Sequence, residues 1–430
     1  MTTDHAVRPT DGAQYSSRHI VIAGGGFAGV RLARLLARNG PRADARGRPV
    51  RVTLIDRNDA FTYTPLLYDV AAGKAAPDHV TTPYRDLLWD RSVVFVRAEI
   101  TGFDLERRTM LTDRGAVPYD RLALALGAAS TLPRGSNGSG LAAHAFPFMN
   151  LSDAEAIRAR MIARFRAADE RNHGDTTVVI AGGGAKGVEL AFDLADFAER
   201  RLAPAFGIPP GEIRIVLVDG EGRLMPDLPS AFDRAARAAM QRRGIRLLHP
   251  AFVVGADDSH IRLDDTRTIA ARTLIWTAGI TAHPLVRALG VPLTDGALRV
   301  TASLQLPGHA GVYVAGDNVW GDDGTGARLP ATASLAQQHG RFLARALAAD
   351  LAGDSLPEFS HTPRGSIIKL GDGNAIAQLG AGPHAPCFSG PAAFALRGGF
   401  DLLEVPGIAQ KRGTLRDLLR RMKQDRLARQ

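Results

Sequence analysis

The chain of 430 residues is nearly without cysteine: Cys387 is the only one. One thiol forms no intrachain disulfide and no dithiol redox pair, and a reducing compartment is the expectation. Long apolar runs are missing too. The strongest candidate, "CFSGPAAFALRGGFDLLEVPGIA", is broken by Arg397, Asp401 and Glu404, and no stretch reaches the roughly 18 residues that span a bilayer. The opening stretch, "MTTDHAVRPTDGAQYSSRH", is polar, shows no secretory signal, and is expected to be a disordered tail over 1–16. No nucleic-acid recognition module accompanies the net charge of +9. The excess is Arg scattered along a chain rich in Ala and Gly, so nucleic acid is not an expected partner. Nor is a metal expected.

What the chain does contain is one Gly-rich stretch written twice. "VIAGGGFAGVRL" runs from Val21 to Leu32 and "VIAGGGAKGVEL" from Val179 to Leu190. Each follows a β-branched run, opens a helical pattern, and leads to a second strand that ends in an acid, Asp56 in one and Asp219 in the other. The chemistry needs each part. The first glycine (Gly24, Gly182) makes the strand-to-helix turn, and the second (Gly26, Gly184) lets backbone approach a pyrophosphate. The third (Gly29, Gly187) lets helix and strand pack closely. The helix start, with Phe27 and Ala28 in the first copy, offers free N–H groups to phosphate. The acid accepts from ribose hydroxyls. One such turn could be an ordinary loop; two complete frames imply two dinucleotide sites. The inserts "PRADARGRP" and "LAPAFGIPPGE", read as surface loops, delay both acids.

A third segment, "AGVYVAGDNVW", reads as a buried strand ending at Gly316-Asp317, followed by a helix from near Pro330. Here the chain resembles the glutathione-reductase-like flavoproteins with two dinucleotide-binding domains. The resemblance implies FAD on the first turn and NAD(H) on the second, the NAD domain being inserted in the FAD domain. It also implies that Asp317 binds FAD hydroxyls and that the helix carrying Ala336 aims its N-terminus at the flavin. "YDRLALALGAAS" and "ARTLIWTAGI", with Gly279, resemble the two crossover strands of that plan. The expected fold is therefore α/β, with two Rossmann-like domains and a small carboxy-terminal region. FAD binding is expected over 17–145 and 285–345, NAD(P)H binding over 146–284, and the carboxy-terminal region over 346–430.

The segment "FTYTPLLYDVAAG" lacks the cysteine pair of disulfide reductases. It resembles instead the "TPLL" segment of type II NADH:quinone oxidoreductases, as do "GGGAKGVELAFDLAD" and "EGRLMPDLP". By that resemblance Glu189 lies near the nicotinamide; the plainer reading is a first-turn Glu on a helix surface, favoured by the dipole. Gln338 matches the second Gln of the family's quinone motif. Ser334 replaces the first Gln, and His339 stands where the family has an acid or Gln. The plainer reading of Gln338 and His339 is a polar helix face. Asp219 favours NADH, since a carboxylate repels a 2′-phosphate, and nearby Arg223 leaves NADPH open.

The carboxy terminus offers Phe394, Leu396, Phe400, Leu402, Leu403, Val405 and Ile408, then Lys411, Arg412, Arg416, Arg420, Arg421 and Lys423. Apolar face plus basic tail suits an interfacial helix on anionic lipid; a packed helix with a solvated tail is the alternative. The expectation is a flavoprotein NADH dehydrogenase passing electrons to a quinone, cytoplasmic or peripheral on the inner face of the membrane. Three matters stay open: a soluble reductase for a protein acceptor such as a ferredoxin, a flavin-bound redox sensor that is no enzyme, and a homodimer.

Overall fold

A computed structural model describes residues 17–88, 92–131, 139–168, 176–321, 329–380, 382 and 385–428. The 1–16 tail lies outside the described residues, as do the side chains of Arg420, Arg421 and Lys423. The chain forms two compact units. One comprises Met1–Phe61, Pro83–Ala128 and Ala282–His361; the other comprises Thr62–Thr82, Ala129–Thr281 and Thr362–Gln430.

The first unit is built on a parallel five-stranded sheet. Its order is Val312–Val314, Arg121–Leu124, Arg18–Ala23, Val50–Asp56, Val93–Arg97. "RHIVIA" becomes the central strand because it is buried from Ile20 to Ala23 and can satisfy its backbone only by pairing on both sides. The Phe27–Asn39 helix follows, burying Val30, Leu32, Ala33, Leu36 and Ala37. An antiparallel meander of Ile100–Asp104, Thr109–Thr112 and Gly115–Pro118 leads into the Arg121–Leu124 strand.

The second unit repeats the plan. Its parallel sheet runs Ala145–Pro147, Thr273–Trp276, Thr177–Ala181, Arg214–Val218, Arg246–Leu248, again with the strand before the Gly turn at the centre. The fold class is thus α/β, with two Rossmann-like sheets. A further antiparallel sheet of Gly365–Lys369, Ala375–Leu379 and Cys387–Gly390 packs Ala375 and Ala377 against Ala393 and Phe394 of the Pro391–Glu404 helix. The last helix, Ile408–Ala428, is fastened to the 77–82 segment. His79 Nδ1 lies 2.7 Å from Asp417 Oδ2, and Thr82 Oγ1 donates to Pro406 O at 2.9 Å.

Two local readings change. The helix expected near Pro330 is Ala333–Ala352, because Thr332 caps it by accepting from Leu335 N–H at 3.2 Å. The insert "LAPAFGIPPGE" is not a plain loop. The Ala185–Phe197 helix runs on through a π-turn, Ala198–Leu202, into a short helix, Ala203–Phe206, which buries Leu202 and Ala203.

Candidate functional site

The two Gly turns are near copies in their physics. A Cβ at Gly24 would lie 2.4 Å from Ala125 O, and one at Gly182 would lie 2.8 Å from Ala278 N. Both glycines also have φ above +100°, so a tight left-handed turn against the neighbouring strand demands glycine there. A Cβ at Gly29 or Gly187 would sit 1.9 Å from the carbonyl of Gly24 or Gly182. At Gly26 and Gly184 it would meet nothing within 4 Å. These two sit at helix N-caps, and no side chain caps either helix. Each turn thus leaves a cradle without side chains at a helix N-terminus, which fits a pyrophosphate.

The acids are fixed in the same way. Asp56 Oδ2 accepts from Gly25 N–H at 2.7 Å, and Asp219 Oδ2 accepts from Gly183 N–H at 2.6 Å. Asp56 Oδ1 takes Asn58 N–H at 2.8 Å and Asp219 Oδ1 takes Glu221 N–H at 3.1 Å. Each carboxylate keeps lone pairs for a ribose.

In the first unit, the segments predicted to share a site meet. The missing Cβ of Gly316 would stand 3.8 Å from Ala336 Cβ and 3.9 Å from Ala28 Cβ. The Phe27 ring packs edge-on against Phe61 at 5.1 Å. Asp317 is half-buried in the Gly316–Asn318 turn. Gln338 is half-buried too, one turn after Ser334 on the Ala333–Ala352 helix. His339, read as part of a polar helix face, is buried completely. Its Nδ1 accepts from Gly316 N–H at 3.0 Å and its ring lies edge-on to Phe359 at 4.7 Å. Burial, then the neighbouring His361, lower its pKa to about 4, so the imidazole is a neutral acceptor that holds the Gly316-Asp317 turn. Asn318, also buried, completes the turn. With its amide placed to satisfy both ends, nitrogen donates to Gly127 O at 2.8 Å and oxygen accepts from Gly127 N–H at 3.1 Å.

In the second unit, Gly182–Gly184, Asp219–Glu221, Ala251–Val254 and Trp276–Gly279 line a cleft of about 710 Å³. That volume suits a dinucleotide portion. Gly187 packs beneath it against Thr277 Oγ1. Arg223 is not in the lining; its Nη2 donates to Pro226 O at 2.5 Å.

Glu189 is neither in this cleft nor on a helix surface. It is 4% exposed, and Oε1 accepts from Lys369 N–H at 3.0 Å and Arg397 Nη1 at 3.0 Å. Burial raises its pKa, with Arg397 and Lys369 opposing. Around it runs an ionic network that sequence reading missed. Lys369 Nζ lies 2.9 Å from Asp69 and 2.8 Å from Asp193. Lys74 Nζ lies 2.8 Å from both Asp193 and Asp372 and 3.2 Å from Asp196. Asp193, Asp196 and Asp372 are the carboxylates close enough to hold a metal ion among the described residues, and the Lys74 ammonium sits among them. Burial opposes the Lys74 charge, but these three acids outweigh it and raise its pKa. Spacing carries no signal for such a network, because Lys74 and Asp372 are 298 residues apart.

Paired cradles, each with its own fixed acid, define a class: an oxidoreductase of two Rossmann-like units for two dinucleotides. The family model of the pyridine nucleotide-disulphide oxidoreductases matches residues 18–340, and the chain belongs to that family, among its type II NADH:quinone oxidoreductases. It is 30% identical to demethylphylloquinone reductase NdbB of Synechocystis over 88% of this chain and 90% of that one. It is 29% identical to the type II NADH:quinone oxidoreductase Ndh of Mycobacterium tuberculosis over 86% of this chain and 81% of the other. In fold it is similar to NDH2 from Plasmodium falciparum solved in complex with NADH. That match has a TM-score of 0.81 at 17% identity and covers 94% of this chain and 98% of that chain.

Proposed function

We propose that the chain is an FAD-dependent NADH:quinone oxidoreductase. The observation that carries the reading is the pair of side-chain-free helix starts, at Gly26 in one unit and Gly184 in the other, each beside its own ribose-reading acid. Relatives named NADH:quinone oxidoreductases support the acceptor class.

The first unit would hold FAD. Gly24, Gly26, Phe27, Ala28 and Gly29 form the pyrophosphate cradle, Asp56 receives the ribose, and Gly316, Asp317 and Ala336 form the second wall. Bound flavin supplies the two-electron chemistry that accepts hydride from NADH and reduces the quinone. The second unit would hold NADH on Gly182, Gly184, Gly187, Asp219 and Gly279, with Asp219 excluding a 2′-phosphate. By the family resemblance Glu189, buried and outside the cleft lining, would stand near the nicotinamide, and Gln338 would offer an amide that hydrogen-bonds a quinone carbonyl as charge grows there.

The carboxy-terminal helices would rest on a membrane surface. Among the described residues no helix is long and apolar enough to cross one. Leu403 and Ile408 are nevertheless 76% and 75% exposed, with Leu396, Phe400, Leu415 and Leu419 also open to solvent. An apolar strip of this kind suits the headgroup boundary. Quinone dissolves in the same layer, so the substrate and the surface agree. The reading is tested by separating the half-reactions: NADH should bleach the bound flavin, and added quinone should restore its colour. Restoration by ferredoxin but not quinone would favour a protein acceptor instead.

A further inference from the structure

Arg397 ties its own helix to three segments that lie elsewhere in the chain. Its Nε donates to Asp401 Oδ2 at 2.9 Å, its Nη1 to Glu189 Oε1 at 3.0 Å and Ile367 O at 2.9 Å, and its Nη2 to Pro65 O at 3.3 Å. A guanidinium so fully engaged has no rotational freedom left, and its fork geometry fixes what it holds. Burial opposes its charge, but Asp401 and Glu189 outweigh burial and keep its pKa well above the ordinary value. Lys369 gives Glu189 its backbone N–H, while its ammonium pairs with Asp69 and Asp193. Arg397 is therefore the side-chain cation paired with Glu189 among the described residues.

We propose that Arg397 is the positioning residue for Glu189. From the Pro391–Glu404 helix it orients and charge-balances the carboxylate on the Ala185–Phe197 helix, and so makes the carboxy-terminal region part of the redox site rather than a surface appendage. The proposal rests on the NADH-oxidising reading for its catalytic meaning, though not for its chemistry. The charged and titratable groups facing Glu189 include Tyr68 from the Leu67–Ala71 helix, Asp193 from its own helix, Lys369 from its strand, backed by Asp69, and Arg397, backed by Asp401 and Tyr63. Burial and Asp193 favour the neutral acid; Arg397, then Lys369, favour the ion. Removing Arg397 removes the largest force that keeps Glu189 charged.

The experiment is an infrared pH titration of carboxyl protonation in the purified full chain. Glu189 is assigned by its loss in Glu189→Gln, and Arg397→Gln and Arg397→Lys are compared. The NADH half-reaction is followed against pH in the same proteins. Arg397→Gln should move the Glu189 titration up by at least one pH unit, tenfold in proton affinity. Arg397→Lys should restore most of that shift. In a Glu189→Gln background, Arg397→Gln should move the pH profile of the NADH step no further. A folded Arg397→Gln protein with Glu189 titrating where it did, or a loss that is the same with and without Glu189, overturns the proposal. If Arg397→Gln does not fold, thermal stabilities of Arg397→Lys, Glu189→Gln and the double variant decide it: coupled effects support the pairing and additive ones overturn it. The titration uses no NADH, so failure of the pairing and failure of the functional reading are told apart.

Discussion

The amide of Gly183 donates to Asp219 Oδ2 at 2.6 Å, which places a carboxylate at the rim of the second cradle and holds it there. A 2′-phosphate would meet this fixed negative charge, while Arg223 is engaged with Pro226 O and absent from the cleft wall. NADH should therefore exceed NADPH by at least about tenfold in kcat/KM, which corresponds to about 1.4 kcal/mol. Asp219→Ser should narrow that gap. Steady-state rates with both nucleotides check it; equal rates in the wild-type chain would show that another cation governs the site.

The glycines separate fold from function. Gly26→Ala adds a methyl where nothing lies within 4 Å and where the backbone, at φ −73°, accepts alanine. Its melting temperature should hold within a few degrees while flavin retention drops, because the methyl enters the cradle. Gly29→Ala puts a methyl 1.9 Å from Gly24 O and should destabilise the chain itself, by about 2 kcal/mol or more. Thermal melts and the flavin-to-protein absorbance ratio distinguish the two. If Gly26→Ala retains flavin as the wild type does, the cradle is not the binding surface.

Two buried histidines predict an acid limit. His339 and His19 both have their pKa lowered to about 4, from an ordinary value of 6.5. Burial is the main cause in both; His361 adds to it for His339 and Arg51 for His19. Between these values the unfolded chain binds more protons than the folded one, so stability rises with pH across that window and is lost as pH falls from 6.5 toward 4. Each histidine contributes at most about 3 kcal/mol to that loss. Denaturant melts at pH 7 and pH 5 should differ, and His339→Gln should reduce the difference at the cost of lower stability at pH 7. An unchanged pH dependence in His339→Gln would mean that His339 takes up its proton at the same pH in the folded chain as in the unfolded one.

The proposed membrane docking turns on two exposed side chains, Leu403 and Ile408. Leu403→Asp with Ile408→Asp should abolish sedimentation with vesicles of anionic lipid and leave NADH-driven flavin reduction intact, because both residues are exposed, at 76% and 75%. Binding that persists would place the lipid contact elsewhere.

Local chemistry was legible in the sequence. A turn that needs glycine, a strand that needs burial and an acid one strand later are all set within a few tens of residues, and Gly24, Gly29, Asp56 and their counterparts stand where pattern puts them. What pattern could not show is long-range ion pairing. Glu189 reads as a residue near the nicotinamide by resemblance or as a helix-surface carboxylate, and neither reading shows Arg397, 208 residues later, beside it. His339 reads as a polar face residue until the fold turns it inward onto Gly316, because helical spacing says which residues share a face but not what a preceding turn will need. The helix starts at Ala333 because the Thr332 hydroxyl accepts from the Leu335 N–H, one of the free amides of the first turn.

In the proposed function electrons pass from NADH to quinone past the helix that carries Gln338. Anaerobic stopped-flow reduction by NADH, followed by reoxidation with a soluble menaquinone analogue, tests it in wild type and Gln338→Ala. Rapid bleaching by NADH is expected in both, with reoxidation about tenfold slower in the variant, the scale of one lost hydrogen bond to a developing charge. Reoxidation by quinone that is untouched in Gln338→Ala, or absent in the wild type while ferredoxin restores the colour, would contradict it.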